Sequence, residues 1–331
     1  MKLLIPGGAG YIGSHMVAFA REHDHEVVVL DDFSTGHEWA VKDFEILHVN
    51  LLDQDKLSQL LKGRHFDGVI HFAAKSLVGE SVIKPNLYYR NNVIGTLNLV
   101  NEMLKNDVNN LVFSSTAAIF GNPTTQKITE DHPKNPINPY GQSKLIVENI
   151  LQDICLANDF NATCLRYFNA AGAHESGEIG ELHDPETHLI PNVLKAAISN
   201  DISLKVFGDD YPTPDGTCVR DYVHVIDLAQ AHLLGLDYMK NNKGFSAFNL
   251  GNGDGFSVLE VINSCEMVTD TKIPFQIDVR REGDPAVLVA ENTNAKSLLG
   301  WNPIYNELQY IIESAWNWHH SGLKRISHQF N

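Results

Sequence analysis

Tyr140 and Lys144 stand four residues apart in Tyr140-Gly141-Gln142-Ser143-Lys144. On a helix that spacing puts a phenol and an ammonium on one face. A free phenol titrates near about 10. A neighbouring cation lowers that value and makes the phenol a base for an alcohol about to lose a hydride. Upstream lies the hydroxyl cluster Ser114-Ser115-Thr116, whose Thr116 can share the proton and orient the alcohol. A departing hydride needs an acceptor, and the N-terminal string Gly7-Gly8-Ala9-Gly10-Tyr11-Ile12-Gly13 provides a place to hold one.

That string is informative because of its neighbours. Residues 2–5 form an apolar run that reads as a buried strand, and residues 11–21 carry a helical pattern through Ile12, Met16, Val17 and Ala20. Strand, glycine turn and helix is the order required of a dinucleotide site. The glycines allow a tight turn and let backbone amides and a helix N-terminus reach a pyrophosphate. A second strand, 26–30, ends in Asp31, which lies 18 residues beyond Gly13, a spacing suited to a carboxylate on the adenosine ribose. Asp32 doubles the negative charge, and 31–37 contains no Arg or Lys to accept a 2′-phosphate. NAD is therefore expected over NADP.

The elements that must position these groups alternate in type. Further strands are expected at 44–49, 68–72, 110–114 and 162–167, with helices at 54–62, 86–105 and 140–158. Repeated strand–helix units with near-continuous apolar strands predict an α/β fold, a doubly wound parallel sheet of Rossmann type. The candidate residues after Phe72, Ser114 and Phe168 fall at strand C-termini, where such sheets bind ligands. From about Ala173 the texture becomes richer in Gly, Pro, Asp and His. The expected division is an NAD-binding domain over 1–172 and a smaller α/β substrate-binding domain over 173–331, partly interleaved with the first.

The chain has 331 residues and a formal net charge of −16, which speaks against nucleic acid or an anionic membrane surface as partner. No stretch approaches the ~20 apolar residues of a membrane span. Cys155, Cys164, Cys218 and Cys265 lack paired spacing, as expected of reduced thiols in the cytoplasm. Neither His319-His320 nor His183 with His188 brings an evident set of further ligands, so solvated or capping roles are expected and no metal site.

The strings GGAGYIGSH, HFAAKSLVGES, SSTAAIFG, NPYGQSK, LRYFNAAGAH, GTCVRDYVHV and RREGDPA resemble the extended short-chain dehydrogenase/reductases, and among them the UDP-hexose 4-epimerases. The likeness runs from the first strand to about residue 318. It implies an NAD-dependent interconversion of UDP-glucose and UDP-galactose: transient oxidation at sugar C4, rotation of the 4-keto intermediate and return of the hydride to its other face. It implies that Gly7, Gly10 and Gly13 face the pyrophosphate with Tyr11 and Ile12 in the turn. Asp31 would hold the adenosine ribose, with Asp32, Asn50 and Leu51 beside it. Phe72, Ala73, Asn92, Ser114 and Phe168 would border the cofactor, and Lys144 would bind its nicotinamide ribose.

For the substrate, the resemblance implies contacts from Thr116, Tyr140, Asn169, His188 and Leu189. Val206 and Phe207 would lie near the uracil, Arg220 and Arg281 on the diphosphate, Asp284 on the uridine ribose and Leu288 at the sugar. It also implies a homodimer formed through helices 86–105 and 140–158. Departures from the family pattern are Pro6 for Thr, Asn50 for an acid, Ser76 for Lys and His188 for Asn. The rival 4,6-dehydratases carry an Asp-Glu pair where this chain has Ala117 and Ala118. A non-catalytic NAD-sensing regulator on the same fold would lose the Tyr140–Lys144 pair, which is present here.

Overall fold

The structure, a computed structural model, describes residues 1–199, 204–281 and 284–322. Seven strands form its central sheet, in the order Phe245–Leu250, Asn161–Tyr167, Asn110–Thr116, Gly68–His71, Lys2–Pro6, Glu26–Asp31, Glu45–His48. Every neighbouring pair is parallel. The order reverses direction at Lys2–Pro6, so a crevice opens between the ends of that strand and Gly68–His71, where such sheets take their ligands.

Both faces of the sheet are covered, and for that reason its strands read as unbroken apolar runs. On one face the Tyr11–Glu22 and Val225–Asn241 helices pack Met16, Val17, Ala20, Leu228 and Leu236 against Leu3, Ile5 and Val112. On the other, the Gln54–Leu61, Gly95–Lys105 and Pro139–Ala157 helices pack Leu57, Leu99, Met103, Val147 and Leu151 against Leu4, Val69 and Phe113. The single helix expected over 86–105 is built in pieces: Pro85–Tyr88, a wider π turn over Tyr89–Ile94, then Gly95–Lys105.

The sequence reading found six of the seven strands. The seventh, Phe245–Leu250, lies late in the chain and pairs Leu250 with Tyr167. The chain thus leaves the sheet after Tyr167, returns through Val225–Leu250 and leaves again. A third apolar cluster lies beyond the sheet, where Val193 and Leu194 meet Val261, Ile262, Ile311 and Ile312. Small sheets pair Asn169–Ala171 with Tyr222–His224, Leu204–Phe207 with Phe275–Asp278, and Val219–Arg220 with Phe256–Ser257 and Val287–Leu288. Residues 323–331 of the expected second domain lie outside the described residues.

Candidate active site

The glycine turn is shaped by close approach. Gly7 has φ +79°, and a Cβ there would lie 2.3 Å from the Ala73 nitrogen. A Cβ on Gly13 would lie 2.1 Å from the Gly7 oxygen. Only glycine fits at either place, and the outcome is a cradle of bare backbone at the N-terminus of the Tyr11–Glu22 helix. Gly10 caps that helix with no side-chain bond, which leaves its first amides for a ligand. Pro6 ends the first strand, and its carbonyl accepts the amides of Phe72 and Ala73 at 2.8 and 3.0 Å, binding the two sides of the crevice together.

A groove runs from this cradle past Gly7, Gly10, Asp31, Asp32, Asn50, Leu51, Phe72 and Ala73. Asp31 accepts the Ala9 and Phe33 amides, each at 2.9 Å, and burial raises its carboxyl above the usual range. Asn50 donates to Asp32, a bond that an acid at this position could not make, which accounts for the amide here. Ser34, Thr35, Gly36 and Lys75 also line the groove and were missed in the sequence. Lys75, one residue before Ser76, brings a lysine to the groove. Asn92 is buried at the wall: its side chain accepts the Lys75 amide and donates to the Lys75 carbonyl and to Ser143. Its visible work is to pin the wall.

Tyr140 lies in the first turn of the Pro139–Ala157 helix, whose Asn138 cap accepts the Gly141 amide at 2.9 Å. Its phenol stands beside the hydroxyl of Thr116, the last residue of the Asn110–Thr116 strand. One turn later the buried Lys144 donates from Nζ to the Ser114 carbonyl at 2.8 Å and lies 4.7 Å from the centroid of the Phe113 ring. Burial lowers its ammonium to about 7, against the pull of Cys164 and Glu148. The phenol differs from expectation. Burial holds Tyr140 above its ordinary value and only the neighbouring Thr116 hydroxyl draws it down. Desolvation of the phenolate dominates, and Lys144 is not among the groups that lower it. Ser114 is hydrogen-bonded through its hydroxyl to Tyr167.

Beneath this pair lies a residue the sequence reading did not single out. Glu148 accepts Ser115 Oγ at 2.6 Å and Arg166 Nε and Nη2 at 2.9 and 2.7 Å, with both charged side chains at most 2% exposed. Its only signal in the sequence was its place one turn beyond Lys144.

The expected substrate residues are distributed over the small sheets. Phe168 and Leu288 pack on one cluster with Ala117, Ile119 and Phe120. Leu288 is paired in register with Arg220, and Arg220 makes an ion pair with Asp284. Asn169 donates from its amide side chain to the Asp221 carbonyl at 3.0 Å. Arg281 lies 4.0 Å above the Phe207 ring, whereas Val206 turns into the core. Arg280, by contrast, covers Tyr211 and bonds Asp210. His188 precedes the Leu189–Ile198 helix, with Leu189 packed against the outer core. The expectation that His183 and His188 lack companion ligands is corrected: the 181–188 loop folds back and brings Glu181 and Glu186 against both rings. Spacing alone does not reveal a loop that closes on itself.

Residues 3–251 match the model of the NAD dependent epimerase/dehydratase family, and the chain belongs to that family. It is 50% identical over 319 residues to the UDP-glucose 4-epimerase of Halalkalibacterium halodurans, covering 96% of each chain. It is 49% identical over 317 residues to that of Corynebacterium glutamicum, covering 96% of this chain and 95% of the other. The crystal structure of UDP-glucose 4-epimerase from Brucella ovis in complex with NAD superposes with a TM-score of 0.93 at 44% identity, covering 97% and 98% of the two chains.

Proposed function

We propose that the protein is an NAD-dependent epimerase that interconverts UDP-glucose and UDP-galactose by inverting the hexose at C4. The observation that carries this is the Tyr140–Thr116 pair at the end of the sheet, on a helix locked by Lys144 to Ser114, beside a glycine cradle and an acidic groove. Gly7, Gly10 and Gly13 would hold the pyrophosphate, Asp31 and Asp32 the adenosine ribose, and Lys144 the second ribose. Two adjacent carboxylates favour ribose hydroxyls and repel a 2′-phosphate. When bound, NAD supplies a reversible hydride acceptor.

Tyr140 takes the proton from the C4 hydroxyl, with Thr116 orienting that hydroxyl and sharing the hydrogen bond. The 4-keto sugar turns about its link to the diphosphate, and Tyr140 returns the proton on the other face. Such turning requires a firm hold on the nucleotide and a loose one on the sugar. Arg220, Arg281, Asp284, Phe207, Asn169, His188 and Leu189 would supply the first. Phe168 and Leu288 form an apolar wall that offers the sugar few directional bonds. The Arg220–Asp284 pair keeps a guanidinium fork in place for phosphate oxygens.

We assign the nucleotide-sugar half to 173–331 apart from Val225–Leu250, and the cofactor half to the seven-stranded sheet with its helices. We also propose a homodimer. Val82, Ile83, Ile94 and Leu97 expose an apolar face beside a cavity lined by Tyr89, Val93 and Ile146. Light scattering on the purified protein tests it. The cytoplasm is the compartment we propose, as three of the four free cysteines are buried; no described helix is long and apolar enough to cross a membrane. The deciding assay is incubation with UDP-galactose without added NAD. Formation of UDP-glucose is expected, and its absence would overturn the reading.

A further inference from the structure

At the edge of the nucleotide-sugar half, and sharing His188 with it, one cluster of side chains has the chemistry of a metal site. Glu181, His183, Glu186 and His188 each offer one ligand atom, and these atoms all lie within 4.8 Å of one another. His183 Nδ1 lies 3.2 Å from Glu181 Oε1 and 3.6 Å from Glu186 Oε2. His188 Nδ1 also meets Glu181 Oε1. Tetrahedral zinc with bonds of about 2.0–2.2 Å places its ligand atoms about 3.4 Å apart, so the two longer separations already match an edge of that figure.

A second observation concerns Glu186, the carboxylate these ion pairs satisfy least. The Glu186 side chain is only 3% exposed. Its Oε2 is buried, points into the cluster and has no hydrogen-bond partner among the described residues. His183 Nδ1 faces it at 3.6 Å, beyond hydrogen-bond distance, so the buried oxygen is left with a charged neighbour but no direct bond, which a cation held between them would supply. The surroundings are prepared as well. The Glu181 carbonyl accepts Trp318 Nε1 at 2.9 Å, the Leu182 carbonyl contacts His37 Nε2 at 2.9 Å, and Tyr11 meets the His183 ring edge-on. These contacts hold the loop from three directions, as outer contacts do around a built site.

We propose that Glu181, His183, Glu186 and His188 form a structural site for one divalent transition metal, with zinc as the best match. Two imidazoles and two carboxylates suit Zn²⁺, Co²⁺ or Ni²⁺ and disfavour Mg²⁺ or Ca²⁺, which take oxygen ligands. The ion would join the start of the Leu189–Ile198 helix to the loop before it and fix the His188 ring through Nδ1, leaving Nε2 to face outward.

The test uses untagged full-length protein, washed with chelator and then given ZnCl₂ or CoCl₂. Native mass spectrometry should find one zinc per chain, with Kd below about 1 µM by titration. Cobalt should give the strong visible bands of a four-coordinate site, and equal MgCl₂ or CaCl₂ should not displace it. His183→Gln and Glu186→Gln should each weaken zinc binding by at least about 100-fold. Unchanged circular dichroism in both variants would show that the fold is kept. His320→Gln, outside the cluster, should bind like the unmodified chain. Absence of stoichiometric zinc at 10 µM metal would overturn the proposal. So would equal binding by His183→Gln and Glu186→Gln, or cobalt bands of an octahedral aquo ion.

Discussion

Lys144 donates its Nζ proton to the Ser114 carbonyl across 2.8 Å, and this bond fixes the helix that carries Tyr140 to the strand that ends in Thr116. The lysine therefore positions the two residues proposed to transfer the proton. Desolvation of the buried Lys144 and the half-buried Tyr140 makes their protonation sensitive to anything that enters the cleft.

Tyr140→Phe removes the phenolic proton and leaves the ring, the helix and the Lys144–Ser114 bond in place. Turnover of UDP-galactose should fall between about 100- and 10,000-fold. UDP binding and NAD retention should stay close to normal, because those contacts lie elsewhere. Steady-state kinetics with calorimetry of UDP binding separates the two. Turnover within a factor of about 10 of normal would be smaller than the loss of a general base produces, and would remove Tyr140 from the mechanism.

Glu148→Ala strands Arg166, which is 1% exposed, without its two-point partner. A stability loss of about 3–5 kcal/mol is expected, read by denaturant unfolding. Glu148→Ala with Arg166→Met should recover most of it, since the uncompensated charge is gone. A loss below about 1 kcal/mol in the single variant would mean that water reaches Arg166.

Much of this was legible in the chain. The glycine cradle, the Tyr140–Lys144 face and six strands follow from local spacing and apolar runs, which survive without tertiary information. What escaped depends on contacts remote in sequence. Phe245–Leu250 is strand because Tyr167 awaits it at the sheet edge. Glu181 and Glu186 join the histidines because the loop closes. The raised Tyr140 phenol follows from burial, which a one-dimensional reading of a nearby lysine leaves out.

The protein should lose stability in mild acid. Burial holds His71 and His224 at about 3 and His15, His232 and His319 at about 4. In the unfolded chain they titrate near about 6.5. Between those values the unfolded chain binds protons that the native protein does not. Stability from this source is full above about 6.5 and falls as pH drops toward 4. Asp221, raised to about 6 by burial, works in the opposite sense, so the clean measurement is a difference. His232→Phe, beside Phe72 at 4.6 Å, should unfold with a slope shallower by about 1.4 kcal/mol per pH unit between about pH 6 and 5. Parallel slopes would refute it.

No 6-deoxy-4-keto product should form from a UDP- or dTDP-hexose. Elimination needs an acid and a base beside the oxidised carbon, and Thr116 is followed by Ala117 and Ala118 in a short turn. Mass spectrometry of the reaction mixture would reveal the loss of one water. Its detection would move the protein to the dehydratases.

Substrate width should depend on Leu288. The family resemblance implies that this position faces the sugar's C2 substituent, and that a bulky Tyr there goes with restriction to UDP-glucose and UDP-galactose and a small Cys or Ser with acceptance of N-acetyl sugars. Leu288 is half-buried, packs on Ala117 and Phe120 beside Phe168, and shares its register position with Arg220. Its volume is intermediate, its side chain can change rotamer, and it offers no hydrogen bond to an acetamido group. A clear preference for the unmodified hexoses with slow turnover of UDP-N-acetylglucosamine is expected. Leu288→Cys should raise kcat/KM for the N-acetyl pair, and Leu288→Tyr should abolish that activity while sparing UDP-galactose. An acetamido group gained or excluded is worth about 1–3 kcal/mol, so selectivity should move by roughly 10- to 200-fold. Equal selectivity in all three proteins would show that Leu288 only fills the wall behind Phe168.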